Sequence, residues 1–293
     1  MRQVAFVVNS AGGRHQGRLR QWCREGAVRH GWYPRFIDTA GGAGDAELKE
    51  YLATREDALV FAAGGDGTVR TCAQVIVATG TATPLAVLPW GTANLFAHSV
   101  GIPTGPEAAL ATGFGQNERR TDVAICGDHV CVAMAGMGLD AAVVGATPEL
   151  LKEHLGWFSY AVAGLSNLHL PPHDYTLRLD GGEPLARSAR TVVVGNIGAL
   201  PGGFPLLPEA RVDDGLLDVC VLAPRGPLEW ALLAEHVLAG SRHNEPYLER
   251  HQVRRVEVTA GAVVPRQIDG EVIASGTELK VSVLPAALVV RVP

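Results

Sequence analysis

The run Ala58-Leu59-Val60-Phe61-Ala62-Ala63, followed at once by Gly64-Gly65-Asp66-Gly67-Thr68, limits what this chain can fold into more than any other stretch. Unbroken apolar residues ending in glycines predict a strand buried on both faces that enters a tight turn. Val69, Cys72, Ala73, Val75, Ile76 and Val77 then follow at spacings a helix can use. Strand, glycine turn and helix start together aim backbone N–H groups at an anion. Glycine also lets a phosphate approach the main chain closely. Thr68 is placed to cap the helix or to hydrogen-bond a phosphate. Asp66 is the odd member, because an acid beside a phosphate repels it unless a cation or a hydroxyl intervenes. Glycines alone fit an ordinary turn equally well; Asp66 and Thr68 favour a nucleotide site. Two familiar phosphate loops do not fit. Lys49, Lys152 and Lys280 all lie elsewhere, which excludes Gly-x-x-x-x-Gly-Lys-Ser/Thr, and Arg70 stands where Gly-x-Gly-x-x-Gly needs its third glycine.

Around this stretch the first third of the chain alternates. Strands are expected at Val4–Val8, Tyr33–Ile37, Ala58–Ala62 and Leu85–Leu88, with helices over 15–30 and 45–54, from 68, and from Ala93. Such alternation predicts a parallel sheet covered by helices, with ligands at the carboxyl ends of its strands. The loops Asn9–Gly13, Asp38-Thr39, Gly64–Thr68 and Pro89–Asn94 all fall at those ends. After Arg120 strand-like runs crowd together: Thr121–Cys126, His129–Ala135, Tyr175–Leu179, Thr191–Val194, Leu217–Leu222, Arg255–Thr259, Ala262–Ile268, Glu278–Val283 and Leu288–Val292. Only 148–168 and 227–239 read as helices there. The expected fold is α/β: an N-terminal parallel α/β nucleotide-binding domain (1–121) and a C-terminal, mainly antiparallel β-sandwich domain (122–284). The last strand, near 285–293, is free to return to the first domain.

Bulk properties exclude several classes. With 293 residues, 47% apolar and 19% charged, the chain has material for two cores and is not disordered. A net charge of −5 gives no general attraction to nucleic acid or to an anionic membrane. Five cysteines form no Cys-x-x-Cys pair, which suits buried thiols in a reducing compartment such as the cytoplasm. No apolar run reaches the length of a spanning helix, so membrane contact is expected to be peripheral, on the inner face. Leu150, Leu151, Leu155, Trp157, Phe158, Leu206 and Leu207 are the candidates for that contact, and an exposed final strand would offer an edge for a homodimer.

A second cluster carries acids. Arg211-Val212-Asp213-Asp214-Gly215-Leu216-Leu217-Asp218 places three acids within six residues around a glycine, hard oxygen donors of the kind Mg²⁺ takes. An Asp-Gly turn between strands explains the same residues without a metal. Gln267-Ile268-Asp269-Gly270-Glu271 is a hairpin turn by default, with two carboxylates able to serve as a general base. Asp122 and Asp140 sit in apolar surroundings, where a carboxylate needs a partner.

Taken in order, these motifs resemble the diacylglycerol kinase catalytic-domain family, which includes bacterial lipid kinases and sphingosine-kinase-like enzymes. Asn9–Gly13 is similar to its Asn-Pro-x-x-Gly opening, Gly64–Thr68 to its Gly-Gly-Asp-Gly-Thr signature and Leu88–Asn94 to its Pro-x-Gly-Thr-x-Asn loop. Arg211–Asp218 resembles its Asp-Gly-x-Leu-Asp segment and Gln267–Glu271 its Asp-Gly-Glu turn. The resemblance implies a Mg²⁺-dependent lipid kinase with ATP on the α/β domain and a lipid, such as diacylglycerol, admitted between domains at the membrane surface. It implies that Asn9, Ser10, Ala11, Gly12, Gly13, Thr39, Gly64, Gly65, Asp66, Gly67, Thr68, Val69, Arg70 and Thr92 hold ATP. It also implies that Asp214 holds Mg²⁺ with the main-chain carbonyls of Arg211 and Leu216, Asp122 and Asp66 being tied in through water. Glu271 would accept the proton of the lipid hydroxyl, with Asp269 close by. Ser10 replaces the family's Pro, Trp90 precedes Gly91, and Arg70 stands where Asn is frequent. The Gly-Gly-Asp-Gly-Thr signature is shared with NAD kinases, leaving phosphorylation of a soluble ribose hydroxyl as the rival, with a non-catalytic nucleotide- or lipid-binding protein as the other alternative.

Overall fold

The computed structural model describes residues 2–11, 16–55, 57–138, 171–200 and 202–293. Gly12, Gly13, Asp140 and the helix expected over 148–168 lie outside the described residues. The chain divides into two compact units, Met1–Asp122 with Ala286–Pro293, and Val123–Pro285.

In the first unit β1 (Arg2–Val8), α1 (Gln16–Arg29), β2 (Trp32–Asp38), α2 (Gly44–Ala53), β3 (Leu59–Gly64), α3 (Asp66–Thr79) and β4 (Pro84–Pro89) alternate. Two helices follow, α4 (Leu95–Ser99) and α5 (Pro106–Phe114), before β5 (Glu118–Cys126). The parallel strands lie in the order β2-β1-β3-β4. Residues Leu59 to Ala63 are all buried, as an apolar strand covered on both faces must be. Helix α1 packs with α5 and α2 with α3. Phe61 stacks on Phe6 at 4.8 Å and meets Phe114 at 4.8 Å. A Cβ on Gly113 would run into the Phe61 ring, so glycine is what lets α5 lie this close to the sheet. Helix α5 lacks a marked apolar stripe, having Ala and Gly where it touches the sheet, and it does not stand out in the sequence.

The second unit holds β6 (His129–Cys131), β7 (Met134–Gly138), β8 (His173–Leu179), β9 (Leu185–Ala189), β10 (Thr191–Gly195), β11 (Ala199–Leu200), β12 (Phe204–Pro205), β13 (Leu217–Leu222), α6 (Pro227–Leu238), β14 (Leu248–Val253) and most of β15 and β16 (Arg255–Ile268 and Glu271–Arg291). The runs expected at Arg255–Thr259 and Ala262–Ile268 are one strand, β15, with its register shifting between Thr259 and Val264. Its first half pairs with β8 and its last residues pair with β7, so one bulged strand serves two neighbours. From β7 the antiparallel order continues through β10 and β13 to β14, while β8 leads to β9. Alternate residues of these strands, among them Val192, Val194, Val219, Val221, Val256, Val258 and Leu279, form the apolar core.

The two final runs expected separately are also one strand, β16, which bends where Ala286 takes a left-handed φ of 51°. The buried Asp122 carboxylate accepts the Ala286 N–H at 2.7 Å and holds that bend. Val289 and Val290 then pair with Pro84 and Leu85 of β4. The final strand is therefore not an open edge, and dimerisation through it finds no support. Leu206 and Leu207, candidates for membrane contact, are buried as well. All five cysteines are buried and free, and burial pushes the Cys23 and Cys220 thiols up to about 12 and Cys126 to about 11.

Arg187 on β9 and Glu249 on β14 clamp two strands that are not neighbours, through paired bonds of 2.5 and 2.8 Å. The Arg187 guanidinium holds the Glu249 carboxyl below its ordinary value against the opposing effect of burial, with His251 adding a lesser pull in the same direction as Arg187. A carboxyl lowered on folding contributes stability above its unfolded value and loses it as the pH falls through the folded one. Glu249→Gln should therefore cost about 1 kcal/mol near neutrality, a bidentate but partly exposed pair. In denaturation measured at successive pH values, the gap from the parent protein should close in acid.

Candidate nucleotide and phosphoryl-transfer site

The two glycine loops of the first unit interlock. Helix α3 begins at Asp66, with Gly65 as N-cap in an extended conformation. Thr68 is thus inside the first turn and does not cap the helix; it is buried, and its side chain fills the space a Cβ on Gly64 would need. A Cβ on Gly91 would collide with the Gly65 main chain, so the loops touch backbone to backbone. Trp90 N–H donates to the Gly64 carbonyl at 2.9 Å. Asn94, at φ 47°, accepts from Gly91 N–H at 2.9 Å and donates to the Gly91 carbonyl at 2.7 Å, closing its own loop.

Asp66 is answered by this same loop. Its carboxylate accepts the N–H groups of Leu95 and Phe96, each at 3.0 Å, at the start of α4. Two backbone donors thus answer the Asp66 carboxylate from within the protein. Asp66 therefore braces the second glycine loop against the first. Gly67 is exposed, and nothing lies within 4 Å of where its Cβ would be. Val69 is buried core, Arg70 is half-buried and Thr92 is exposed. Trp90 is half-buried, its ring edge-on to Trp22 of α1 at 5.2 Å.

The loops after β1 and β2 share one acid, Asp38. It accepts Ser10 N–H at 3.0 Å and Ala40 N–H at 3.1 Å, and Arg20 pairs with it at 2.7 Å. Burial opposes ionisation, but these amides and the guanidinium hold its carboxyl below the ordinary value. Asn9 Oδ1 takes Ala11 N–H at 3.0 Å, while Thr39 N–H and Oγ1 both reach the Val8 carbonyl. The amides of Ser10, Ala11 and Thr39 are thus spent on loop structure. Arg20, part of the basic first helix, belongs to the same network.

In the second unit, Asp214 Oδ1 accepts Leu216 N–H at 3.0 Å across Gly215, which has a φ of 73°. Arg211 pairs with Asp213 at 3.4 Å. Among the described residues no three His, Cys, Asp or Glu side chains converge on a metal position. An exposed carboxylate on a turn with nearby carbonyls is nevertheless a donor set that Mg²⁺ accepts, with waters completing it. Asp218 differs, being 5% exposed. Burial pushes its carboxyl up to about 7, reinforced by Asp214 and Glu209 and opposed by Gln252 and Arg250.

The Asp-Gly-Glu segment is a two-residue hairpin. Ile268 pairs with Glu271, and Asp269 and Gly270 have φ values of 50° and 78°, the type I′ turn that Asp-Gly favours. Asp269 accepts the N–H groups of Val132, Ala133 and Met134 at 3.0, 2.8 and 3.1 Å, and the Cys131 thiol at 3.1 Å. Glu271 is exposed. The two carboxylates thus have separate surroundings, one in a nest of amides and one at the surface.

Residues 3–126 match the diacylglycerol kinase catalytic domain, and residues 133–292 match the YegS C-terminal NAD kinase beta sandwich-like domain. A protein of Pseudomonas aeruginosa strain UCBPP-PA14 described as a probable lipid kinase YegS-like is 36% identical over 280 residues, 92% of this chain and 85% of that one. The chain belongs to the YegS-like lipid kinase family. It is accordingly an ATP-dependent kinase. Its fold is shared with the crystal structure of a diacylglycerol kinase from Bacillus anthracis, with a TM-score of 0.75 at 18% identity, covering 100% of this chain and 97% of that one. It is also like an NAD kinase from Archaeoglobus fulgidus in complex with ATP, with a TM-score of 0.53 at 16% identity, covering 99% and 93%.

If the Gly65–Gly91 contact organises these loops, Gly91→Ala should cost about 1–3 kcal/mol, the usual cost of overpacking a tight site. Urea denaturation would measure it, and a wild-type midpoint would contradict the contact.

Proposed function

We propose that this kinase transfers the γ-phosphoryl group of ATP to a hydroxyl of a lipid such as diacylglycerol, with Mg²⁺, at a membrane surface. The observation that carries the reading is the interlocked pair of glycine loops, joined through Asp66 and leaving Gly67 open. Phosphoryl transfer asks chiefly for alignment and charge neutralisation. Open glycine backbone at the start of α3 supplies N–H groups for the phosphates. Asp214, with the carbonyls of Arg211 and Leu216, would hold Mg²⁺, which neutralises phosphate charge when bound. Asp122 is committed to Ala286 N–H and Asp66 to α4, so both act in this account through the loops they brace.

The proton of the acceptor hydroxyl goes to Glu271, whose carboxylate is exposed at the first position of β16. Asp269 does not compete for it. Its oxygens take three amides and a thiol, so it serves as a positioning residue for the turn that presents Glu271. Among the described residues no helix is long and apolar enough to cross a membrane, which fits a kinase meeting lipid from the aqueous side. The fold likeness to an NAD kinase favours a second reading, a soluble ribose hydroxyl as acceptor.

Labelled γ-phosphate from ATP–Mg²⁺ should move into the organic phase with a lipid extract and not onto NAD; label on NAD alone would select the second reading. Glu271→Gln should lower turnover by about 10²-fold or more, the usual contribution of a general base. Asp269→Asn should retain measurable turnover with the same pH profile while lowering stability by about 1–3 kcal/mol, because a saturated acceptor is disturbed. Gly67→Ala should keep or slightly raise the melting temperature, since alanine is the better helix former by up to about 1 kcal/mol. The same variant should raise the KM for ATP; an unchanged KM would remove the phosphates from this glycine.

A further inference from the structure

The carboxyl edge of the parallel sheet carries an aromatic pair that the phosphate loops do not explain. Helix α1 packs with α5, and α2 with α3, so the two pairs cover opposite faces of the sheet. The helix after β1 therefore leaves towards one face and the helix after β3 towards the other, although β1 and β3 are paired neighbours. In an open parallel sheet this divergence opens the crevice in which ligands lie. Trp90 stands beside that crevice. Pairing of Gly64 with Pro89 sets it one strand away from Gly65, a spacing of about 4.8 Å. Its N–H donates to the Gly64 carbonyl at 2.9 Å, which ties the root of the side chain to the glycine turn.

Alternation along β4 puts Ala86, Leu88 and then Trp90 on one face. A Cβ on Gly113 of α5 would come within 2.8 Å of the Ala86 Cβ, so that face is the one under α1 and α5. On α1, Arg20 and Arg24 lie over Phe36 of β2, whereas Gly26 faces Leu110 of α5. Trp22, one turn before Gly26, shares its flank and meets Trp90 there. The ring centroids are 5.2 Å apart and the planes stand at 86°. A perpendicular pair brings the edge of one ring to one face of the other and leaves the remaining flat faces unused. Neither ring stacks on a further aromatic ring among the described residues, and both side chains are only half-buried. Indole offers a broad π face and a single N–H donor, so its natural partner is another flat ring. A nucleotide whose phosphates meet the amides at the start of α3 brings one such ring, its base. An acyl chain is held by buried area alone, and two half-buried rings offer little of it.

We infer that Trp90, held edge-to-face by Trp22, recognises the nucleotide base in this chain by stacking, and thereby favours purine over pyrimidine triphosphates. This role rests on the kinase reading with ATP as donor: glycine amides take the phosphates and indole takes the base. Trp22 acts through Trp90, as a positioning residue.

Calorimetric titration of the full chain, with Mg²⁺ and without lipid, should compare ATP, CTP and inorganic tripolyphosphate. ATP should bind more tightly than CTP. Trp90→Leu should weaken ATP by about tenfold or more, as expected for a lost base stack, and should remove most of the difference between ATP and CTP. Tripolyphosphate, which has no base, should bind the variant as it binds the parent. ATP should also quench tryptophan emission in the parent protein and do so less in Trp90→Leu. Trp90→Phe, a smaller ring in the same place, keeps the test decisive if leucine disturbs the loop. It should weaken ATP less than leucine does and tripolyphosphate not at all. Unchanged ATP affinity in both variants, or a parallel loss of tripolyphosphate in both, would overturn the stacking role and leave the kinase reading standing. A parent protein that bound neither ATP nor tripolyphosphate would bring down the kinase reading and the stacking role together.

Discussion

The contact on which the rest of the first unit depends is the approach of Gly65 to Gly91, with the Asp66 carboxylate bridging from one loop to the other. Neighbouring parallel strands deliver the two loops side by side, since Gly64 is paired with Pro89. A Cβ on Gly91 would run into the Gly65 Cα, so the approach needs glycine there, and one on Gly65 would be tight at 3.2 Å. Once closed, the first amides of α4 lie within reach of Asp66, and an acid that would repel a nucleotide becomes part of the wall. The charge is answered locally and the open face of Gly67 is left free of it.

The second unit solves a comparable problem with another acid. Asp269 sits in the left-handed conformation that its two-residue type I′ turn requires, and three successive amides converge on its side chain. In both places the carboxylates that stand out most in the motifs hold loops together, while Glu271 and Asp214 remain at the surface. Surroundings therefore separate the acids that build the site from those able to meet a ligand, a distinction residue type cannot make.

How far the sequence could be read follows from the same physics. The β3–α3 stretch was legible because an apolar run, a glycine turn and helical spacing all agree. Leu217–Leu222 was equally plain, a strand bounded by turn residues. Helix α5 was not, because its contact surface is Ala and Gly, which carry almost no periodic signal. Strands β9 and β14 were missed because their residues are half-exposed and charged, with Arg187 and Glu249 among them. The irregularity in β15 reads as a break in a strand, since the five steps from Thr259 to Val264 face only two on β16, from Glu278 to Gly276. At the site, the Thr68 cap was misread because a glycine can be an N-cap, and the committed amides of Ser10 and Thr39 have no mark in the sequence.

The five buried thiols have a kinetic consequence. Each is sealed in a core, and burial holds its proton on, so the attacking thiolate is scarce while the chain stays folded. Cys23 and Cys72 lie in the first unit, while Cys126, Cys131 and Cys220 lie in the second. An alkylating reagent would therefore mark each unit only as it opens, and the order in which the cysteines are labelled would date the opening of one unit relative to the other.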